Sequence, residues 1–347
     1  MGNGIAKVAA GIGFALGVRE VIARANEADL RGQVALVTGS STGLGLLMAR
    51  ELAAEGCRLV ICARSGDKLD EARKDLEARG AEVLAVPCDV ADQDQVDRMV
   101  EQAIAHFGRI DVLICNAGVI QVGQYRSMER DDFQQAMDIM FFGTLHPILA
   151  TVPHMRERGS GRIALVTSIG GKISVPYLLP YNASKFAAVG LGEGLRAELQ
   201  QDGITVTTLV PGLMRTGSYL NAKFSGEPEG REATYRVFSA LSSLPLFTAD
   251  AELSAKSYTR AIKRGDATFT FPPQYAVLER IHGLAPATTM FAMNIANRLL
   301  PKTGDDTTTV EGEEIDEHLP GEGPWRTMTT LGRSIAADVQ HEPNGSS

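Results

Sequence analysis

Cysteines are scarce in this chain, and they lack the spacing of a metal site or of a disulfide framework. Four occur among 347 residues, and all lie in the first half: Cys57, Cys62, Cys88 and Cys115. A small secreted domain would carry cysteines at higher density, and a zinc site would show closely spaced pairs. The 6 histidines show no ligand spacing either. We therefore expect reduced thiols, a cytoplasmic location and no bound metal.

Positive charge is also in short supply. The chain has 34 lysines and arginines against 42 aspartates and glutamates, a net charge of −8. A protein that binds the phosphate backbone of nucleic acid needs a basic surface, so we expect no nucleic-acid partner. The hydrophobic and charged fractions, 44% and 22%, are ordinary for a globular protein with a large core.

The apolar run near the start of the chain, VAAGIGFALGV at 8–18, is shorter than the roughly 20 residues that span a bilayer. Arg19 and Glu20 follow it directly, where a secretory signal would have its cleavage site. Ala6 also stands where the myristoylation pattern requires serine or threonine. We predict an apolar lead-in helix over residues 1–30. Contact of residues 1–20 with a membrane surface, and a true anchor or signal, remain as alternatives.

From Gln33 onward, short apolar runs alternate with longer amphipathic stretches, a rhythm typical of βαβ units. Strands are predicted near 33–38, 58–63, 82–86, 110–115, 161–167, 204–210 and 267–271. Helices are predicted near 44–56, 66–79, 92–107, 131–157, 181–202 and 250–264. The pattern predicts an α/β fold, a doubly wound (Rossmann) parallel seven-stranded sheet with helices on both faces.

This rhythm defines a Rossmann-fold catalytic domain over residues 31–272. It is interrupted at about 217–249, which we interpret as an insertion that forms a substrate lid, because ligands bind beyond the carboxyl ends of the strands. Residues 273–304 form an apolar extension. Residues 305–347 are acidic and rich in glycine and threonine, and we expect a flexible tail with Trp325 and the Leu331 region able to dock.

A glycine-rich turn, TGSSTGLG at 38–45, joins the first strand to the first helix. Glycines let the backbone turn tightly and approach a pyrophosphate, whose charge is favoured at a helix N-terminus. A bare glycine-rich turn is often only a turn, but a strand before it and a helix after it favour dinucleotide binding. The predicted cofactor-binding residues here are Gly39, Ser41, Thr42, Gly43, Leu44 and Gly45.

The end of the second strand lacks the carboxylate that would hold the 2′-hydroxyl of NAD. Arg64 stands there instead, and its cation suits the 2′-phosphate of NADP(H). The alternative is a solvent-facing arginine in a loop. Asp89, after the third strand, has two interpretations: an acceptor for the adenine amino group, or an acidic helix cap.

Tyr181 and Lys185 lie four residues apart at the start of a predicted helix, so both side chains share one face. A tyrosine titrates near pH 10, and it serves as a general acid/base near neutrality when a cation stabilises its phenolate. Lys185 is placed to supply that charge. Ser168, at the end of the fifth strand, is placed to hydrogen-bond the substrate oxygen.

Together these residues resemble the short-chain dehydrogenase/reductase family over about 33–271. The motifs are TGSSTGLG, Asp89-Val90, Cys115-Asn116-Ala117-Gly118, Ser168, Tyr181-x-x-x-Lys185, and Pro211-Gly212 leading to Thr216. The resemblance implies that Tyr181 is the proton donor or acceptor, that Lys185 binds the nicotinamide ribose, and that Ser168 positions the substrate. It also implies cofactor contacts by Val90, Asn116, Ala117, Gly118, Pro211, Gly212 and Thr216, and a homodimer or homotetramer.

One position departs from the family pattern. Many members carry an asparagine in a setting like N-x-x-G-T, whereas here Met140 precedes Phe141-Phe142-Gly143-Thr144. The asparagine helps to hold a water that links the lysine to solvent, and a thioether is a weak acceptor. The expected proton relay is therefore incomplete in this chain.

The leading hypothesis is an NADP(H)-dependent oxidoreductase that interconverts a ketone or aldehyde and an alcohol on an apolar small-molecule substrate. The apolar class is inferred from residues flanking the catalytic end: Leu178, Leu179, Met214, Tyr219, Leu220 and Phe224, which would equally serve to pack the lid. The alternative is an NADPH-binding regulatory or scaffold protein with weak or no turnover, for which Met140 is the motivating feature.

Overall fold

The computed structural model describes residues 27–319 and 324–339, so most of the predicted lead-in helix lies outside the described residues. The strands are β1 Val34–Thr38, β2 Arg58–Ala63, β3 Val83–Pro87, β4 Val112–Cys115, β5 Gln121–Val122, β6 Gly161–Val166, β7 Ile204–Pro211, β8 Met214–Arg215, β9 Lys223–Ser225, β10 Ala249–Asp250, β11 Thr268–Phe271 and β12 Thr309–Glu311. The helices are α1 Gly43–Ala54, α2 Gly66–Ala78, α3 Gln93–Phe107, α4 Arg130–Met137, α5 Gly143–Arg158, α6 Leu179–Leu199, α7 Pro228–Leu241, α8 Ala251–Arg264, α9 Pro273–Leu284, α10 Pro286–Leu299, α11 Gly312–His318 and α12 Pro324–Val339.

Seven strands form one parallel sheet in the order β11-β7-β6-β4-β1-β2-β3. The strand order reverses between β1 and β4, and a doubly wound sheet binds ligands in the crevice at such a reversal. The buried, continuous apolar sequences of strands such as β1 and β4 are those of a sheet covered on both faces. The predicted doubly wound fold is confirmed.

The helices form two layers, and each layer has its own apolar core against the sheet. On one face Leu46 and Leu52 of α1 pack with Leu69 of α2 and Tyr258 of α8. On the other face the core contains residues of α3, α5 and α6. The predicted helices thus bury the apolar stripes from which they were inferred.

The predicted helix at 131–157 is interrupted. A π-helical turn at Asp138–Phe142 separates α4 from α5, and such turns often occur at functional sites. Gly143 follows, where a methyl group would lie 2.6 Å from Val90 Cγ2, so the helix approaches the loop after β3 closely here. By length and composition, 130–158 is the one helical run in the described parts of the chain that could cross a bilayer. This is weak evidence, since core helices pass the same test and α5 supplies Ile148 and Met155 to the core.

The described residues of the predicted tail, 305–319 and 324–339, contact the body of the protein. β12 pairs antiparallel with β9, and β9 pairs with β5. Asp316 of α11 accepts a hydrogen bond from Tyr235 at 2.7 Å and one from Arg333 at 2.6 Å. The Trp325 indole donates to Ser239 at 3.0 Å. The Trp325 contact agrees with the predicted docking of that residue, and the assignment of the whole segment as a flexible tail stays a prediction.

The segment at 217–249, predicted as a lid, contains β9 and α7 around a compact aromatic cluster. Tyr219 and Phe224 are fully buried there with Tyr235 of α7, and ring centroids of Phe224 and Tyr235 are 5.2 Å apart. Ile315 and Leu319 complete the cluster. Assignment of this segment as a lid, and the boundaries of the proposed domains, remain predictions.

Candidate active site

The glycine-rich turn lies at the carboxyl end of β1, next to the reversal in strand order. A methyl group on Gly45 would lie 2.1 Å from the Gly39 carbonyl oxygen, and one on Gly39 would lie 2.7 Å from Ala117 Cα. Glycine is therefore required at both positions. Thr42 is the N-cap of α1, yet its side chain makes no capping hydrogen bond, so the first amides of α1 remain available to an anion. This arrangement fits a pyrophosphate.

Asn116 fixes this turn against the neighbouring strand β4. Its side-chain amide donates to the carbonyl oxygens of Thr38 at 3.1 Å and Gly39 at 2.9 Å. Thr38 Oγ1 accepts in return from the backbone amides of Asn116 and Ala117. Gly118 follows and is exposed. Asn116 therefore holds the glycine-rich turn in place against β4.

Arg64 is exposed at the end of β2, beside the same turn, where the Ser40 amide donates to the Cys62 carbonyl at 3.1 Å. Within 27–319 and 324–339, no hydrogen-bond or ion-pair partner is found for its guanidinium. Asp89 is half-buried after β3, and its Oδ1 accepts from the Ala91 amide at 3.0 Å. The N-cap of α3 is Asp92, so Asp89 does not cap that helix.

Val90 and the segment from Pro211 to Thr216 make hydrogen bonds and packing contacts within the protein. The Val90 carbonyl hydrogen-bonds His146 at 3.0 Å. The Gly212 amide donates to Phe271 at 2.9 Å, and a methyl group on Gly212 would lie 2.1 Å from the Tyr275 ring. Thr216 is buried. These positions lie at the carboxyl-terminal edge of the sheet, as predicted; their contacts with a cofactor remain a prediction.

The three predicted catalytic residues converge at that edge. Ser168 caps a turn at Ile169–Gly171 and accepts a hydrogen bond from the Gly170 amide at 3.0 Å. Tyr181 lies in the first turn of α6, and Lys185 Nζ lies 5.8 Å from the centroid of its ring. Lys185 is buried and donates to the Val166 carbonyl at 2.9 Å. Residues from β6 and α6 thus form one site.

The pKa of Tyr181 moves against the direction expected from its spacing to Lys185. Burial raises the pKa of Tyr181, and a hydrogen bond with Ser168 opposes this only in part. Burial also lowers the pKa of Lys185 to about 8. Desolvation penalises the charged form of each group. The phenol of Tyr181 therefore stays protonated at neutral pH, and the ammonium of Lys185 loses its proton at a lower pH than a free lysine does.

Met140 lies beside this pair and is fully buried in the π-helical turn. A methyl group on Gly118 would lie 3.7 Å from both Met140 Sδ and Lys185 Nζ, so these two side chains flank Gly118. The Met140 carbonyl accepts from Thr144 Oγ1 at 2.8 Å, and Ser184 Oγ lies 3.9 Å from Met140 Sδ. The Met140 carbonyl is already engaged and its thioether is a weak acceptor, so neither offers a strong free acceptor to a relay water.

A cavity of about 740 Å³ is lined by Leu179 and Phe186 of α6, whereas Ser168, Tyr181 and Lys185 of the candidate site do not line it. One wall is the loop at 173–177, which is tied to α6 by hydrogen bonds from Asn182 to Ser174 and Val175. The opposite wall comes from α10: Met290, Met293, Asn294 and Asn297. Sequence reasoning missed these four, although their spacing of three, four and seven residues puts them on one helical face.

The apolar residues predicted to contact substrate divide between two roles. Leu179 lines the cavity. Tyr219, Leu220 and Phe224 are buried in the aromatic cluster, so they pack the insertion, which was the alternative interpretation. Tyr177 joins the two regions. It lines the cavity, its backbone φ is 71°, and its hydroxyl donates to the Pro301 carbonyl at 2.5 Å.

Comparison with known proteins follows from this geometry. The family described as short chain dehydrogenase matches residues 33–223. The chain belongs to the short-chain dehydrogenase/reductase family. A "Dehydrogenase/reductase SDR family protein 7-like" of Anopheles gambiae is 32% identical over 253 residues, which cover 72% of this chain and 77% of that protein. A "Fatty acyl-CoA reductase" of Acinetobacter baylyi is 34% identical over 54% of this chain and 64% of its own length.

Solved structures of this dehydrogenase/reductase family share the fold. L-sorbose reductase from Gluconobacter frateurii, complexed with NADPH and L-sorbose, is 28% identical with a TM-score of 0.62, over 71% of this chain and 96% of that one. A short-chain dehydrogenase from Mycobacterium paratuberculosis bound to NAD is also 28% identical, with a TM-score of 0.62, over 71% and 97%. As a member of the family, the chain is an oxidoreductase.

Proposed function

We propose that this chain is an NADP(H)-dependent oxidoreductase that interconverts a ketone or aldehyde and an alcohol, with Tyr181 as the general acid/base. The observation that carries the proposal is the convergence of Ser168, Tyr181 and Lys185 beside an uncapped helix N-terminus. Both neighbouring structures hold a nicotinamide dinucleotide, and the glycine-rich turn has the shape that such a molecule needs. When bound, that group would supply or accept the hydride.

The protein's own residues would handle the proton and the substrate oxygen. Ser168 Oγ accepts the Gly170 amide and also hydrogen-bonds Tyr181, so on substrate binding its hydroxyl hydrogen would be donated to the carbonyl oxygen. The raised pKa of Tyr181 keeps its phenol protonated at neutral pH, which suits protonation of the oxygen during reduction. The Lys185 ammonium would stabilise the phenolate that remains.

The preference for NADP(H) over NAD(H) depends on Arg64. Its guanidinium is exposed and unpaired within the described residues, at the end of the strand that adjoins the glycine-rich turn. A guanidinium suits a phosphate through paired N–H donors. The related structures contain both cofactors, so the preference rests on this side chain.

The substrate that we propose is an apolar carbonyl compound or alcohol. Met290, Met293, Ile173 and Leu179 line the cavity beside α6. One relative is a fatty acyl-CoA reductase, which supports a substrate with an aliphatic portion. Asn294 and Asn297 supply polar groups that would orient one end of such a molecule.

The test is NADPH oxidation over a panel of ketones and aldehydes, with Tyr181→Phe beside the parent chain. The variant should lose about 10²- to 10⁴-fold in kcat, because it keeps the ring and loses only the proton. Ser257→Ala, which removes a hydroxyl that bonds the Leu253 carbonyl within α8, is the control and should retain parent activity. Turnover by Tyr181→Phe equal to that of the parent would refute the assignment.

Met140 supports the second candidate function, an NADPH-binding regulator or scaffold. Its buried side chain stands beside Lys185 without offering a strong acceptor, so proton delivery to Tyr181 would be slow. This function requires tight NADPH binding, measured by calorimetry, together with no turnover of any compound in the panel. Restored turnover in Met140→Asn would instead support an enzyme with a hindered relay.

We also propose a homodimer or homotetramer in the cytoplasm, with membrane-surface contact by residues 1–20 as an alternative location. Leu149 of α5 and Phe186 of α6 are large apolar side chains that remain exposed, as expected of a surface that another copy covers. Light scattering of the purified chain gives the mass of the particle. A monomeric mass at all concentrations would contradict the assembly.

A further inference from the structure

The helix pair α9–α10 presents an apolar surface that nothing in the described chain covers. Among the described residues, seven of the 16 large apolar side chains that remain exposed lie on these two helices. No residue of α9 is fully buried, and in α10 only Thr289 is. Leu284, at the tip between the helices, is 89% exposed. The apolar face, as we call it, comprises Val277, Ile281, Leu284, Phe291, Ile295 and Leu299.

The spacing of the apolar face shows that each helix turns one stripe outward. Val277, Ile281 and Leu284 are four and three residues apart on α9, and Phe291, Ile295 and Leu299 recur every four residues on α10. Amphipathic helices on a protein surface normally bury such a stripe. Here α10 directs a different set, including Met293, toward the cavity. The outward stripe therefore needs a partner outside the described chain.

The charge around the apolar face identifies the kind of partner. Residues 273–302 contain one acid, Glu279, and three bases, Arg280, Arg298 and Lys302, in a chain whose net charge is −8. Glu279 faces the body of the protein, where it accepts from Thr270 at 2.7 Å. The three bases are exposed. An apolar stripe bordered by bases fits an anionic lipid surface.

The cavity reaches this same surface. Met290 lines the cavity and is nevertheless 62% exposed, so the mouth of the cavity adjoins the apolar face. Leu246 and Phe247 extend the apolar surface, and the Tyr275 hydroxyl of α9 ties this loop in place through the Phe247 carbonyl at 2.9 Å. A hydrophobic molecule dissolved in a bilayer would thus meet the cavity without crossing water.

We propose that the α9–α10 helix pair docks on an anionic lipid bilayer and admits apolar substrate from it into the cavity. The docking is inferred from the apolar face and its charges alone, whereas the entry of substrate rests on the proposed function.

The experiment is flotation of the full chain with vesicles of equal parts phosphatidylcholine and phosphatidylglycerol. The variant Ile281→Ser/Phe291→Ser/Ile295→Ser should lower the partition coefficient by about tenfold or more, because three apolar side chains no longer enter the bilayer. The control, Leu241→Ser/Leu253→Ser/Met328→Ser, alters three exposed apolar residues on other helices and should keep parent binding. Equal binding by both variants overturns the proposal.

A site-specific measurement keeps the proposal testable if the triple variant folds poorly. Tryptophan in Phe291→Trp should shift its emission to shorter wavelength when vesicles are added, whereas Leu253→Trp should not; no shift in Phe291→Trp overturns the proposal. If the parent is a dimer and the triple variant is a monomer, and vesicle binding is unchanged, the apolar face binds a second copy of the chain. A parent chain that binds vesicles but reduces no ketone leaves docking intact and refutes only the proposed enzyme.

Discussion

Lys185 and Lys263 are both largely buried, yet their pKa values move in opposite directions. At the carboxyl-terminal edge of the sheet, burial lowers the pKa of Lys185 to about 8, and its hydrogen bond goes to a carbonyl oxygen. At the opposite edge, burial acts most strongly on Lys263 and lowers its pKa, but the hydrogen bonds and charges of Glu55 and Glu27 together outweigh burial and raise the pKa. The difference lies in the presence of a carboxylate partner.

The same contrast extends along both edges. At the amino-terminal edge, buried Asp111 accepts hydrogen bonds from Arg109, Arg158 and the Val34 amide. At the carboxyl-terminal edge, Arg64 is unpaired in the described chain and the Thr42 cap is unused. One edge satisfies its charges internally and contributes stability. The other leaves donors open, which is what a binding site requires and what folding alone disfavours.

The largest effect that tests this contrast is on the free energy of unfolding. Asp111→Asn should destabilise the chain by about 3 kcal/mol, because it leaves Arg109 and Arg158 without their shared carboxylate. Burial raises the pKa of Asp111, but its hydrogen bonds outweigh burial and lower it overall. The carboxylate's contribution is therefore present above about pH 4 and is lost as pH falls through its lowered pKa. Denaturant unfolding of the parent and the variant at pH 7 measures the destabilisation, and unfolding at pH 3 measures the loss of the carboxylate's contribution.

The matched control for this prediction is Asp89→Asn at the other edge. Asparagine keeps the turn hydrogen bond to Ala91, so stability should change by less than about 0.5 kcal/mol. Cofactor affinity is the property expected to respond. Equal destabilisation by both variants would remove the distinction between the edges.

The second effect is on cofactor preference. Arg64→Asp should lower the preference for NADPH over NADH by roughly 30-fold, about 2 kcal/mol, since a charge-assisted contact becomes a repulsion. Arg31→Asp makes the same change of charge at an exposed arginine before β1 and should leave the preference unaltered. Initial rates at varied NADPH and NADH give both ratios. An unchanged ratio in Arg64→Asp would exclude this residue from cofactor choice.

The smallest effect is on the pH dependence of reduction. The Lys185 ammonium is lost as pH rises through about 8, while the raised pKa of Tyr181 keeps the phenol protonated. The rate of ketone reduction should therefore be level near pH 7 and fall several-fold between pH 8 and 9. Lys263→Gln, at the opposite edge, should keep the same midpoint. A level profile up to pH 10 would contradict the assigned role of Lys185.

Much of the fold was predictable because its signals are local. Strand and helix periods, and glycines such as Gly39 and Gly45, reflect the geometry of a few consecutive residues. The break at Asp138–Phe142 was not predictable, because the apolar pattern continues through it. The contacts of residues 309–319 and 324–339 involve partners that are distant in the sequence, such as Tyr235 and Arg50.

By itself the sequence determined the parallel sheet and the glycine-rich turn, and it predicted Ser168, Tyr181 and Lys185 as the candidate site, since each of these features has a short local sequence pattern. Tertiary structure alone decided how those side chains titrate, because the pKa of Tyr181 follows burial more than spacing. It also decided that α10 divides its apolar residues between the cavity and the outer surface. Both depend on contacts between distant parts of the chain, and such contacts leave no periodic trace in the sequence.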